Sequence, residues 1–258
     1  MKRFEFNLQY PKPLSEDELE QLNKIALGGL FSRYTSDLVH ELEEELSTYY
    51  QTKYAVTCTS GTAALQGCLV ALDLPAGSEI ITTSVADIGI VIPIIYENLV
   101  PVFSDINSQT YNITAEHVEK KITDKTRAVI AVHLAGNPCD LDSLVDLCAR
   151  KNLILIEDFS QAHGALWDNK KVGSVGKISY GSFQQSKQIT CGEGGVIVTN
   201  DKKLYDRAFI GVDKAWQRYL PLEERFYEFL APNVRFNSLQ AAILSPQIKK
   251  LDNLIRKK

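Results

Sequence analysis

The chain predicts an α/β domain built on one extended, mostly parallel sheet, and three observations carry that expectation. Apolar runs of four or five residues recur along it, too short for helices and bounded by turn residues. Between them lie segments whose apolar residues repeat at helical spacing. Chemically interesting polar residues fall where the runs end, and α/β sheets bind their ligands beyond the carboxyl ends of their strands.

The elements follow in order. Ser15-Glu16-Asp17-Glu18 caps and opens a helix through about residue 26, ended by Gly28-Gly29. Residues 37–50 form a second helix, with Leu38, Leu42 and Leu46 at i+4 spacing. Residues 54–58 are a strand, Thr59-Ser60-Gly61-Thr62 a turn and 63–72 a helix. Residues 79–82 form a strand, and 86–96 a helix interrupted at Pro93. Strands follow at 100–103 and 128–132, a helix at 141–150, and strands at 153–157, 178–182 and 195–199. Such alternation is the pattern of helices packed on both faces of a parallel sheet. The sequence has no internal repeat and no low-complexity segment.

Composition narrows the function. With 258 residues the chain can bury a large core. Charged residues make up 23%, the net charge is -4 and the basic residues are scattered, which argues against a nucleic-acid partner. Lys249-Lys250 and Arg256-Lys257-Lys258 read as a wet helix face. The first residues carry no apolar signal core, and the run at 88–95 is far short of the roughly 20 residues that span a bilayer. Five cysteines without metal-type pairing read as small buried hydrophobes, reduced, in a cytoplasmic protein with no membrane contact and no metal site.

The chemistry concentrates at the strand ends, at Ser60-Gly61-Thr62, Asp87, His133, Asp158, Gln161, Ser182 and Lys187. In Ser60-Gly61-Thr62, small residues at a helix start leave N–H groups to meet a phosphate; the plainer alternative is an ordinary helix cap. Ser182 offers a further phosphate hydroxyl. No GxxxxGK[ST] loop and no GxGxxG fingerprint occurs, so a nucleotide loop has little support. Asp158 ends an apolar strand, where a carboxylate without a cationic partner is costly. A protonated pyridine nitrogen is such a partner; capping the next turn is the alternative. Glu157 points to the opposite side of the strand and suits that role less. Lys187 lies among small polar residues before the glycine-rich turn at 192–195. A lysine and a strand-end acid are the two groups that pyridoxal phosphate (PLP) chemistry needs most.

These motifs are similar to those of the DegT/DnrJ/EryC1/StrS sugar aminotransferases, within the fold-type I, aspartate aminotransferase-like PLP enzymes. The resemblance runs from about residue 7 to the C-terminus. It rests on Ser60-Gly61-Thr62-Ala63-Ala64-Leu65, Pro101-Val102-Phe103-Ser104-Asp105-Ile106 and Val132-His133-Leu134-Ala135-Gly136-Asn137-Pro138-Cys139-Asp140. Ile156-Glu157-Asp158-Phe159-Ser160-Gln161-Ala162-His163-Gly164, the run at 182–195 and Asn233-Val234-Arg235-Phe236-Asn237-Ser238-Leu239-Gln240-Ala241-Ala242 complete it.

The resemblance implies a three-layer PLP-transferase large domain at 36–236, preceded by an N-terminal arm and helix at 1–35. Residues 237–258 would begin the helix leading to a small domain. Lys187 matches the Schiff-base lysine that moves the proton, Asp158 the pyridine-nitrogen partner, and Gln161 the residue near the ring and its 3-hydroxyl. Ser60, Gly61, Thr62 and Ser182 match the phosphate site. Asn233 matches a residue that reaches the other subunit's cofactor phosphate, so a homodimer is implied. Glutamate or glutamine would donate an amino group that passes to a keto-sugar, usually nucleotide-linked. The family's dehydratases carry histidine at the position of Lys187.

Two departures stand out. Asp87 falls where relatives place an aromatic residue on the pyridine ring, with Ile88 or His133 as compensating neighbours. The chain also stops where relatives continue into a C-terminal domain that closes the cleft. A fragment, one part of a split enzyme and a naturally short protein are all compatible with that. A protein that binds PLP without transaminating is therefore the competing expectation.

Overall fold

The computed structural model describes residues 13–256. Residues 1–12 of the expected arm and the last two residues of the C-terminal basic run lie outside the described part. The elements are α1 (Glu16–Gly28), α2 (Leu38–Tyr49), β1 (Tyr54–Cys58), α3 (Gly61–Leu72), β2 (Glu79–Thr83) and α4 (Ile92–Tyr96). β3 (Val100–Ser104), α5 (Ala115–Glu119), β4 (Thr126–Val132), α6 (Leu141–Lys151) and β5 (Ile154–Asp158) follow. A small hairpin of β6 (Leu166–Trp167) and β7 (Lys170–Lys171) precedes β8 (Ile178–Ser182), β9 (Gly195–Thr199), α7 (Lys202–Gly211) and α8 (Ser238–Arg256).

Seven strands form one sheet in the order β1-β9-β8-β5-β4-β2-β3. β2, β3, β4, β5 and β8 pair in parallel, and β9 runs antiparallel to both neighbours. The mostly parallel α/β expectation therefore holds. The carboxyl ends of β4, β5 and β8 share one edge with the amino end of β9.

Alternation along each strand builds a layer on each face. On β4, Ala128, Ile130 and Val132 pack with α3 residues such as Ala64, Leu65 and Cys68. The intervening Val129 and Ala131 pack with Leu141, Leu144 and Leu147 of α6. Further along the sheet, Val196 and Val198 of β9 meet Leu42 and Leu46 of α2 and Leu244, Ile248 and Leu251 of α8. The C-terminal helix thus belongs to the same core as the sheet.

Local chemistry explains most boundaries. The Ser15 N–H donates to the Glu18 carboxylate at 2.7 Å as half of a capping box, and Gly29 ends α1 in the left-handed region at φ 69°. The expected break at Pro93 falls elsewhere. A 3-10 turn at Ile88–Ile90 is followed by α4, with Pro93 in its first turn. Proline is tolerated there because a first-turn N–H has no helical partner to lose.

Candidate active site

A cleft of about 410 Å³ opens at the shared edge of the sheet, lined among others by Ser60, Gly61, Thr62, Asp87, Asp158, Gln161, Ser182 and Lys187. That volume is within the range of about 300–1,000 Å³ usual for small-molecule sites. Of the ten residues expected at the site, eight meet here from four separate chain segments. His133 and Asn233 do not line it.

One end of the cleft is built from α3 and the junction of β8 with β9. Ser60 caps α3, its Oγ accepting from the Ala63 N–H at 3.0 Å. The first-turn N–H groups that follow have no intrahelical acceptors, and the helix field favours an anion there. The chain is tight at this point. A Cβ on Gly61 would stand 2.7 Å from Ser182 Cβ, and one on Gly195 would stand 2.2 Å from the Ser60 carbonyl oxygen. Only glycines permit that approach, which brings the Ser182 hydroxyl beside the start of α3.

The opposite wall is the end of β5. Asp158 accepts from the Tyr180 hydroxyl at 2.8 Å through Oδ2 and from the Ser160 N–H at 2.9 Å through Oδ1. Both oxygens are thereby oriented while the residue stays half-buried on the cleft. Burial, with the Asp158 charge beside it, pushes the Tyr180 hydroxyl well above its usual range, so it remains a donor. Gln161 bridges two loops: its Oε1 accepts from the Ala135 N–H at 2.9 Å, and its carbonyl accepts from Gln188 Nε2 at 2.7 Å.

Lys187 is half-buried in the loop between β8 and β9, its N–H donating to the Gln184 carbonyl at 2.9 Å. That loop is held at many points. The Phe183 N–H donates to Gly194, Gln247 holds both the N–H and the carbonyl of Thr190, and Gln240 reaches the Glu193 carbonyl. Phe183 and Ile189 anchor it in the core. These bonds fix both ends of the loop that carries Lys187.

Asp87 lines the cleft, but its Oδ1 accepts from the Gly89 N–H at 2.7 Å and caps the 3-10 turn. Ile88 is 65% exposed. Burial pushes the Cys58, Cys139 and Cys191 thiols up to about 12, which leaves none of them as a ready nucleophile. Among the described residues, no group of three or more His, Cys, Asp or Glu side chains could hold a metal ion.

The DegT/DnrJ/EryC1/StrS aminotransferase family model matches residues 13–258. The chain belongs to that family. Among its relatives is the GDP-perosamine synthase of Escherichia coli O157:H7, 35% identical over 96% of this chain and 67% of the relative. A putative L-glutamine:3-amino-2,3-dideoxy-scyllo-inosose aminotransferase of Micromonospora echinospora is 36% identical over 88% of this chain, but only 54% of its own length is covered. A solved E coli GDP-4-keto-6-deoxy-D-mannose-3-dehydratase with bound hydrated PLP superposes with a TM-score of 0.89 at 28% identity, covering 95% of this chain and 68% of that one. The chain thus spans between half and about two thirds of the length of these relatives.

The family's cofactor is pyridoxal phosphate, and the cleft fits that group. Its glycine-walled end offers a helix start and a serine hydroxyl to a phosphate. Its other end offers an oriented carboxylate to a ring nitrogen, and an amine stands on the loop between β8 and β9.

His133 lies elsewhere because its side chain is wholly buried. Nδ1 accepts from the Cys139 N–H at 3.0 Å, which leaves Nε2 as the donor to Glu157 Oε2 at 3.0 Å. Committed to two buried partners, it is not free to stack on a ring in the cleft, the compensation the sequence suggested for it. Asn233 is exposed, pairs with Asp213 in an isolated bridge and does not line its own chain's cleft.

Sequence reasoning set Glu157 aside, yet it organises the ground beneath the site. It takes N–H bonds from Gly173, Val175 and Gly176 as well as from His133. Burial by itself would raise its carboxyl, but those donors outweigh burial and hold it below the usual range. A fully apolar strand ending in two acids was the available signal: one acid faces the cleft and the other must find donors.

Proposed function

We propose that the chain is the large domain of a PLP-dependent aminotransferase that transfers an amino group from glutamate or glutamine to a keto-sugar, nucleotide-linked and bound by a homodimer. The observation that carries this reading is the meeting of Lys187 and Asp158 in one cleft with the Gly61–Ser182 anion cradle.

Bound PLP would supply an aldehyde for amine capture and an electron-withdrawing ring. The chain's residues would do the rest. Ser60, Gly61, Thr62 and Ser182 would seat the phosphate. Asp158, oriented by Tyr180 and Ser160, would hold positive charge at the ring nitrogen. Gln161, pinned by Ala135, would lie beside the ring hydroxyl. Lys187 Nζ would take the proton from the donor's Cα, from a loop too well anchored to drift. Asn233 would act in the partner's site. A lysine at 187 favours amino transfer over the dehydration named for the solved relative. The relatives' names favour a sugar or cyclitol acceptor and, in one case, glutamine as donor.

The test has two stages. The purified chain is loaded with PLP, reduced with borohydride and mapped by mass spectrometry, with Lys187→Ala in parallel. The cofactor-derived mass is expected on the peptide holding Lys187 and absent from the variant. Attachment to another lysine would end the proposal. In the second stage, glutamate or glutamine is expected to change the visible spectrum of the loaded protein. A loaded protein that neither donor alters would instead support binding without transamination.

A further inference from the structure

His163 lies outside the cleft, 2% exposed, one layer beneath the end of β8. Its place follows from the way the sheet ends. β5 pairs with β8 as far as Asp158 opposite Tyr180, and the Phe159 N–H then donates to the Tyr180 carbonyl. Two residues on, the Ser182 carbonyl faces the same way by strand alternation, but β5 has already turned aside. A buried carbonyl there needs another donor. His163 supplies it from the turn after β5, with Nε2 2.7 Å from the Ser182 oxygen.

The tautomer follows from the partners. A carbonyl only accepts, so Nε2 carries the proton, and Nδ1 of the neutral ring accepts from the Tyr50 hydroxyl at 2.5 Å. Tyr50 is fully buried, and burial pushes its hydroxyl well above the usual range, so it stays a donor. Phe183 stacks on the imidazole with centroids 5.3 Å apart and planes 19° apart, and Phe159 meets it edge-on. A hydrophobic core alone would be filled as well by phenylalanine. This ring has two directed bonds instead, and one ends on the backbone of a residue lining the cleft.

We propose that His163 is a positioning residue for the phosphate cradle, holding Ser182 at its close approach to Gly61 through the Ser182 carbonyl. The inference rests on the cofactor placement proposed above. Ser182 Cβ already stands where a Gly61 Cβ would collide, so the two halves of the cradle are set by one tight contact. A shift of a few tenths of an ångström at the carbonyl moves the hydroxyl relative to the start of α3. The ring end of the site, at Asp158 and Gln161, is held by separate bonds.

The test compares binding of pyridoxal 5'-phosphate with binding of pyridoxal, which lacks the phosphate, by equilibrium dialysis on the full chain. His163→Phe keeps the aromatic volume and removes the donor. Loss of one buried hydrogen bond is expected to weaken pyridoxal phosphate about tenfold while leaving pyridoxal within about twofold. His163→Gln restores a donor toward Ser182 and is expected to recover most of the preference, and Tyr50→Phe to lose part of it. Thermal unfolding run in parallel identifies any variant that does not fold, and Tyr50→Phe, which removes only one oxygen, then decides the matter. Equal weakening of both ligands, or an unchanged ratio in His163→Phe and Tyr50→Phe, would overturn the inference. A wild-type chain with no preference for the phosphate form would remove the cofactor placement and the inference with it.

Discussion

At Gly195 the first atom of any side chain would stand 2.2 Å from the Ser60 carbonyl oxygen and 2.9 Å from the Gly61 nitrogen. Both obstacles are backbone, so no rotamer change relieves them. Gly195→Ala is therefore expected to lose about 1–3 kcal/mol in urea unfolding, the usual range for overpacking, and to bind PLP more weakly because the cradle must open. Unchanged values for both would show that the α3 start can yield. The place of Gly61 at the cleft was legible because small residues between a strand and a helix leave room at the helix start, although an ordinary cap reads the same way. Asp158 was legible because an acid closing an apolar strand must be reconciled with its cost. His163 was not. Its role depends on a carbonyl 19 residues away and on the hydroxyl of Tyr50, just past the end of α2, and no local pattern encodes either.

The end of β5 is the element on which the site most depends. Its alternation sends Asp158 to the cleft and Glu157 to the other face, where Glu157 gathers the 173–176 loop and His133. The His133 N–H in turn donates to the Asp158 carbonyl, so the two faces are mechanically joined. Because the Glu157 carboxyl lies lower in the folded chain than its ordinary value, its stabilisation is complete above the ordinary glutamate range. It is lost as pH falls through the folded value. Glu157→Gln is expected to cost about 2–3 kcal/mol near neutral pH, since an amide cannot satisfy every one of these donors, and to flatten the acid limb of the stability curve. Urea midpoints between pH 3 and pH 7 read both effects, and an acid limb as steep as that of the parent would assign it to other carboxylates. The same dependence on context explains the elements the sequence did not disclose. α5 is a single turn capped by Thr114, and α7 opens on two lysines behind the Asp201 cap, so neither presents a long apolar stripe. The long strands and α2 did, and they were found.

For the whole molecule, the cleft's lining raises a question of charge. It holds three carboxylates, from Asp87, Asp158 and Glu193, and one amine, from Lys187. The α3 start favours a phosphate locally, but a ligand carrying several negative charges needs further donors from outside this chain's cleft. Asn233 is a candidate in the homodimer reading. It is exposed, does not line its own cleft, and follows a segment whose Leu222, Phe226, Tyr227 and Leu230 are exposed as well. A surface of that character fits burial against a second copy. If Asn233 serves the neighbouring site, Lys187→Ala and Asn233→Ala damage opposite subunits of one site. Each variant alone should bind PLP poorly, the first for want of the amine and the second for want of the phosphate partner. Mixed after dissociation and reassociation, the two chains form heterodimers in which one site carries both lesions and the other carries none. Random pairing should then restore about one site in four, read as wild-type-affinity PLP bound per chain. Mixtures that bind no more than the average of the separate variants would place Asn233 in its own subunit's site, or outside the site altogether, and would remove the reason for requiring a second copy.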